Sequence, residues 1–500
     1  MNPQLITALA ALVLAATCVC AQTAVPAQYF GMHLSRSQPW PTVPFGSLRL
    51  WDTDTRWQQM NPASGVYDFS TLDSYLALAH SHGLPDVVLV LGGTPNWISS
   101  DPLNSACDYA AVASGSCAPP VDLNSDGTGT DQAWRSFIYQ LASHVMGLDA
   151  GTYSRIAAYE MWNEFSRTTE SWTGSQAQMV RLAQDAYCIL KGSGTITATG
   201  EGCAAQAFHV PAVGIAPQAV VVSPSAQASG TDVYTLGTYL SNLGLAGPGA
   251  AAADAIAVHN YTYGGGCCAF AEALVAQWSA LQMALPGAAS ELPVWSTEGS
   301  WGDTATKEPD SDMQSAYVAR AYLLGWSVGF QRMYWYAWGN SWGRLWSQSG
   351  VAGCSDQGSG TGCASPASRA YAEVYSWMVG NTMNKPCSVT GSVYSCQLTT
   401  GQGARLLAVW DTAKSCTGGI CGHSVYQAPP GYNSYLDLSH THHGLRGQAV
   451  WIGAKPILLL SSTLPPLAKA RRKARAVQSA IRVRSSAALP LSVKACNPSR

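Results

Sequence analysis

Eight short runs rich in Val, Ile, Leu and Tyr recur through the first 340 residues, each followed by a Gly/Pro/Asn/Asp loop and then by a stretch able to wind into a helix. They are Tyr29 to Ser35, Ser47 to Thr53, Asp86 to Gly92, Ile156 to Glu164, Ala219 to Ser225, Ala255 to Tyr261, Pro293 to Gly299 and Arg332 to Trp338. Helical candidates between them include Ser70 to His82, Thr130 to Met146, Ser175 to Leu190, Phe270 to Ala284 and Asp310 to Val328; the first carries Leu72, Tyr75, Leu76 and Ala79 on one face. Strand alternating with helix requires a parallel sheet covered by helices, and eight repeats close such a sheet into a (β/α)8 barrel.

After Trp338 one further helical candidate, Ser365 to Met378, precedes a change of pattern. From Cys387 onward short strands (Ser388 to Thr399, Ala404 to Asp411, Tyr435 to Leu438, Ala449 to Ile452, Pro456 to Leu460) alternate with Gly/Ser/Pro turns, which predicts a C-terminal β-sandwich. The expected division is a signal peptide over 1–21, a barrel over 28–380, a β-sandwich over 385–461 and a basic, disordered tail over 462–500. The signal reading rests on the apolar run Leu5 to Ala16, too short to span a bilayer comfortably, followed by small residues at Val19-Cys20-Ala21. No other stretch reads as a membrane span.

Charge narrows the partners. The tail from 462 to 500 holds nine of the 27 Lys and Arg residues and no acid, leaving 18 basic against 29 acidic groups in the remainder, a net charge of −11. An acidic body argues against nucleic acid and for a neutral or weakly charged ligand. Ten of the fifteen cysteines fall in close pairs, Cys107/Cys117, Cys188/Cys203, Cys354/Cys363, Cys387/Cys396 and Cys416/Cys421. No CxxC unit has a matching partner, so disulfides in an oxidising compartment explain the spacing better than metal ligation. Cys267 and Cys268 are adjacent and able to bridge each other, and Cys496 is left over.

In an α/β barrel the working residues sit at the carboxyl ends of the strands. Here strand one ends near His33, strand two near Asp52 and Asp54, strand three in Asn96-Trp97 and strand four in Asn163-Glu164. Strand six ends in His259-Asn260-Tyr261, strand seven in Glu298 and strand eight in Trp338. Carboxylates, amides, imidazoles and indoles on one face suit a sugar site. Either glutamate alone reads equally well as a structural residue, Glu164 paired with an Arg and Glu298 capping a helix. Their joint placement on strands four and seven points to catalysis.

Tyr159-Glu160-Met161-Trp162-Asn163-Glu164 and Trp295-Ser296-Thr297-Glu298-Gly299 on those strands resemble clan A of the glycoside hydrolases. With Phe30-Gly31-Met32-His33 and Leu48-Arg49-Leu50-Trp51-Asp52, the chain is most similar to family 39 and its relatives. The resemblance implies a retaining glycosidase acting on an oligo- or polysaccharide without a cofactor or metal. Glu164 would be the acid/base and Glu298 the nucleophile. Asn163 would bond the sugar hydroxyl beside the reacting carbon, Tyr261 and Arg49 would hold the nucleophile, and His259 and Trp338 would line the glycone pocket. His33 stands with them at the strand ends. Glu298 beside Arg49 is expected to stay ionised and Glu164 to be pushed up in pKa. Glu160 is expected to serve Arg49 structurally.

Trp97 and Trp301 read equally as outer sugar platforms or core. Asp122 to Gly127 has the alternating oxygens of a calcium loop but Ala133 at its twelfth position, so a solvated turn is the better reading. His440, His442 and His443 read as a surface loop without acidic partners, and Asn260-Tyr261-Thr262 as an incidental glycosylation acceptor. Two other functions remain open: an inactive carbohydrate-binding barrel and a transglycosylase.

Overall fold

The computed structural model describes residues 23–36, 39–107, 114–192, 213–228, 230–241, 252–263, 268–339, 342–347 and 363–461. The signal, the basic tail, Cys203, Cys267, Cys354 and Cys496 lie outside the described residues. A parallel barrel forms from β1 (Phe30–His33), β2 (Ser47–Leu50), β3 (Val87–Val90), β4 (Ile156–Glu160), β5 in two pieces (Val220–Val222 and Ala226–Gln227), β6 (Ile256–His259), β7 (Val294–Gly299) and β8 (Arg332–Trp335). Each strand pairs with its neighbours in sequence, and β8 pairs with β1. The ring closes at β5, whose first piece pairs with β4 and whose second pairs with β6, with a further bridge between Val222 and Ala255.

The paired strands are shorter than their apolar runs, because the last residues of each run leave the ladder to enter loops over the barrel mouth. Val88, Ala158, Val222, Ala255, Ala257, Trp295 and Tyr334 form one buried cluster inside the ring. A larger cluster fills the space between the strands and the outer helices. At the opposite end from the site, Arg332 meets Asp86 at 2.6 Å and lies over the Trp295 ring, which seals the floor.

Helices cover the barrel at Ser70–Ser81, Gln132–Gly147, Gln176–Lys191, Ala273–Ala284, Ser311–Val328 and Pro366–Met378. Their starts follow capping chemistry. Ser175 accepts from Gln178 N while the Gln178 side chain reciprocates, Asp310 accepts from two first-turn amides, and Ser365 accepts from Ser368 N ahead of Pro366. Two departures from the repeat appear. Asp232–Leu240 is a helix the pattern did not show, because its Val, Thr, Tyr and Gly residues are poor helix formers held by packing of Val233, Leu236 and Tyr239. Between β1 and β2 the described residues form a loop instead of a helix, as Pro39, Pro41 and Pro44 remove helical donors.

The C-terminal part is a six-stranded antiparallel sheet in the order Ser388–Thr390, Val393–Thr399, Arg405–Asp411, Ile457–Ser461, Tyr432–Leu436, His442–Gly444. A ribbon of His423–Gln427 and Ala449–Gly453 covers one face, where Val450 and Ile452 pack on Leu407, Val409 and Leu459. Barrel and sandwich are joined by polar contacts: Arg320 donates to Ala454 O, Trp410 Nε1 to Glu272 at 2.9 Å, and Lys455 meets Asp312 at 2.6 Å. Disulfides link Cys107–Cys117, Cys387–Cys396 and Cys416–Cys421. Cys188 and Cys268 are disulfide-bonded as well. His442 lies in an edge strand, and its neighbours do have acids: His440 bonds Glu373 at 2.8 Å and His443 bonds Asp437 at 2.9 Å, corrections to the partnerless loop expected. Glu373 comes from a helix 67 residues earlier, which spacing in sequence does not reveal, whereas Asp437 lies only 6 residues before His443.

Candidate active site

Side chains alternate along a strand, so on β2 Leu48 and Leu50 face the helices while Ser47 and Arg49 face the barrel axis. Arg49 is fully buried, and a buried guanidinium is tolerable only when its donors are matched. Its Nε and Nη2 donate to the two oxygens of Glu160 at 2.9 and 2.8 Å, a bidentate pair. Its Nη1 donates to Glu298 Oε1 at 2.6 Å and Nη2 to Asn163 Oδ1 at 2.8 Å. One cation thus organises three strands, β2, β4 and β7.

Glu298 reaches the axis through an irregularity. Val258 pairs with Ser296 and His259 with Glu298, so a register shift at Thr297 turns the carboxylate inward. Tyr261 donates to its Oε2 at 2.9 Å. Glu164 lies beyond the paired part of β4 with φ of 48°, left-handed backbone that a non-glycine residue adopts only when its surroundings hold it. The hold comes from β5, where Ser225 Oγ accepts from Glu164 N at 3.0 Å and Gln227 Nε2 reaches its Oε1 at 3.4 Å.

His259 Nδ1 stands 2.8 Å from Glu164 Oε1 and 3.5 Å from Glu298 Oε2. One oxygen of each glutamate and a His259 nitrogen lie within 4.8 Å of one another. Such a trio matches divalent-cation donors in kind, but Arg49 and Tyr261 already engage both Glu298 oxygens. Burial alone would raise the Glu164 carboxyl; the hydrogen bond and charge of His259, with help from Arg167 and Gln227, outweigh it and hold the group below the ordinary glutamate value. This corrects the expected upward shift, because the sequence did not reveal an imidazole in direct contact.

The two glutamates border an open cavity of about 570 Å³. Its walls are Ser35, Arg36, Trp51, Asp52, Asp54, Arg56, Arg167, Gln227, Tyr261, Tyr263, Tyr336 and Trp342. Of the residues expected from sequence, Tyr261 lines the cavity with the glutamates, while Arg49, His33, Asn163 and His259 are buried behind them. His33 lies between Arg49 (3.4 Å) and Asp52 (3.3 Å). Trp338 and Trp301 are fully buried and border no part of the cavity; Trp301 packs on Trp335 and Tyr317. Trp97 is half-buried with Nε1 bonded to Asn61 O at 2.9 Å. The aromatic rings at the cavity are instead Trp51, Tyr261, Tyr263, Tyr336 and Trp342, the last three from loops after β6 and β8. Asp52, placed at the end of the β2 run by the sequence but given no role there, and Arg56, which the sequence did not single out, are polar wall residues.

The remaining motifs are structural. Asp122 Oδ2 accepts from Ala133 N at 3.1 Å, capping the following helix, and Asp126 bonds Thr128 within the turn. Asn260 is buried, which removes it from glycosylation.

No protein-family model matches the sequence, and no curated protein matches it. Solved structures do share its fold. A family 39 glycoside hydrolase from the gut symbiont Bacteroides cellulosilyticus WH2 is 14% identical with a TM-score of 0.54, over 88% of this chain and 82% of that one. A family 39 β-xylosidase from Caulobacter crescentus is 15% identical with a TM-score of 0.50, over 88% and 98% of the two chains. A glucosidase from Croceicoccus marinus is 11% identical with a TM-score of 0.52, over 88% and 96%. The chain therefore has the barrel-and-sandwich fold seen in family 39 glycoside hydrolases.

Proposed function

We propose that this chain is a secreted retaining glycoside hydrolase with Glu298 as nucleophile and Glu164 as acid/base. The observation that carries the reading is the pair of buried carboxylates whose oxygens approach within 4.8 Å at the floor of an open cavity. Retaining enzymes hold their carboxyl groups roughly 5 to 5.5 Å apart, whereas inverting ones leave room for a water between them. Glu298, fixed by Arg49 and Tyr261, attacks the anomeric carbon while Glu164 gives its proton to the departing oxygen. Glu164 then takes a proton from the water that cleaves the glycosyl ester on Glu298.

His259 Nδ1 lies within hydrogen-bond distance of Glu164 Oε1, and the first step requires the proton to be on Glu164. Asn163 Nδ2 is buried without a hydrogen-bond partner among the described residues, and it is the donor for the hydroxyl beside the reacting carbon. Secretion is supported by the disulfides and the N-terminal apolar segment. No helix among the described residues is long and apolar enough to cross a membrane.

The decisive experiment removes the nucleophile. Glu298→Ala abolishes turnover of activated aryl glycosides, and added azide restores it as a glycosyl azide of inverted configuration. Residual wild-type activity in that variant, or no rescue on any substrate the parent cleaves, refutes the assignment. Calorimetric binding of glycosides with no product from the parent would favour an inactive binding barrel, and transfer products at high acceptor concentration would favour a transglycosylase.

A further inference from the structure

One wall of the cavity carries a carboxylate that the two-glutamate mechanism does not use. Asp52 follows β2 and has its side chain 20% exposed, towards the cavity. Oδ2 accepts from Tyr336 Oη at 2.6 Å and faces His33 Nε2 at 3.3 Å, while Oδ1 faces Arg56 Nη2 at 3.2 Å. The His33 tautomer follows from its other side: Nδ1 faces the Arg49 guanidinium, which only donates, so Nε2 carries the proton towards Asp52. A carboxylate offers about four lone-pair positions. Two are taken by Tyr336 and Arg56, His33 approaches a third without a formed hydrogen bond, and the side chain is in part open to the cavity. Burial alone would raise this carboxyl, but His33, Arg56 and Tyr336 outweigh it and hold the group well below the ordinary aspartate value.

Its place relative to the nucleophile is short and continuous. Glu298 touches Arg49, Arg49 touches His33, and His33 touches Asp52, all within 3.4 Å. Asp52 and Glu298 border the same cavity, so a sugar seated on Glu298 shares its space with Asp52. The charges around it settle the kind of sugar. The cavity is lined by four carboxylates, Asp52, Asp54, Glu164 and Glu298, and three arginines. Every arginine already faces an acid: Arg36 meets Asp54 at 2.9 Å, Arg56 meets Asp52 at 3.2 Å, and Arg167 meets Glu164 at 3.6 Å. A uronate carboxylate would enter a site without surplus positive charge.

We infer that Asp52 is the specificity-determining residue of the glycone subsite, accepting a hydrogen bond from a free hydroxyl of an uncharged sugar, and that this hydroxyl carries no further sugar. The inference rests on the hydrolase reading for which bond is cut, but recognition by Asp52 is measurable without turnover.

The test titrates 4-nitrophenyl β-D-xylopyranoside, β-D-glucopyranoside, β-D-galactopyranoside, α-L-arabinofuranoside and β-D-glucuronide into the Glu298→Gln variant by calorimetry. The same titrations follow in that variant carrying Asp52→Asn, and the wild-type chain is assayed for nitrophenol release beside them. A neutral glycoside binds, the glucuronide binds at least about tenfold more weakly, and Asp52→Asn weakens the neutral ligand roughly 10- to 100-fold, the usual worth of a hydrogen bond to a charged group. Monodeoxy analogues of the best ligand give a second reading that needs no Asp52 variant: one of them loses a similar factor. Binding of the neutral sugar within about threefold of the parent after Asp52→Asn, every deoxy analogue binding equally, a glucuronide preference, or no binding across the panel each overturns the inference. Binding as expected with no nitrophenol from the wild type would leave the Asp52 assignment standing and remove the hydrolase reading.

Discussion

Arg49→Met is the substitution whose outcome the structure constrains most tightly. The guanidinium is fully buried and makes four hydrogen bonds of 2.9 Å or less, three of them to carboxylate oxygens of Glu160 and Glu298 and one to Asn163. Methionine fills similar volume but leaves Glu160, also fully buried, as a charge without its partner. Removing one member of a buried ion pair costs about 3–5 kcal/mol, mostly from the stranded charge and less from the lost attraction. The pH dependence has a definite sign. A stranded buried glutamate has its folded pKa raised above its unfolded value near 4.3, so the variant keeps its stability below about pH 4.3 and loses it as pH rises. Urea unfolding of parent and variant across this range shows a deficit that is small near about pH 4.5 and reaches about 3–5 kcal/mol near about pH 7. Arg49→Met/Glu160→Met then recovers at least about 2 kcal/mol of the loss, because the charge is gone with its partner. A deficit under about 1 kcal/mol at neutral pH, or one that does not change with pH, would refute the view that Arg49 exists to neutralise these carboxylates.

Three further outcomes are expected. His259→Gln removes the group that lowers Glu164, so burial prevails and the alkaline limb of the kcat/KM profile for an aryl glycoside moves to higher pH; an unmoved limb counts against Glu164 as the acid. Burial pushes Glu308 up to about 7, so its contribution to stability, complete below about pH 4.3, is lost as pH rises through about 7; Glu308→Gln melts above the parent on the alkaline side and shows no advantage near about pH 5. Gly325→Ala, in the helix Ser311–Val328, would drive a methyl group against Met333 Sδ and Tyr29 Oη; chemical denaturation shows a loss of about 1–3 kcal/mol even though alanine is the better helix former.

The barrel was legible in the sequence because the strands, buried on both faces, show as short mainly apolar runs, and such runs survive without any knowledge of partners. Glu164 and Glu298 could be found for a related reason: each ends such a run on a charge. What could not be found is whatever depends on which loops meet above the ring. Tyr336 and Trp342 come from the loop after β8 and Gln227 from the second piece of β5, and only closure of the barrel brings them to one cavity with Asp52. Trp301 and Trp338 show the opposite effect. Nearness in sequence to a strand end suggested access to sugar, but it does not fix the side to which a side chain turns, and both indoles finish in the core. The direction of the Glu164 shift failed likewise, since it turns on one His259 contact that strand-end positions do not specify.

The break in β5 has a consequence for motion. Ser223, Pro224 and Ser225 interrupt the ladder where the two ends of the sheet meet, and the serine hydroxyls accept there instead, Ser223 Oγ from Ala257 N and Ser225 Oγ from Glu164 N. Backbone bonds from Ser223 N to Ala255 O and from Ser225 N to Trp162 O still cross the break, but regular strand pairing does not, and this seam runs directly under the acid. Amide hydrogen exchange from Val220 to Gln227 should accordingly outpace exchange in β2 and β3, and breathing of this seam would change the aim of Glu164 before any other part of the barrel lets go.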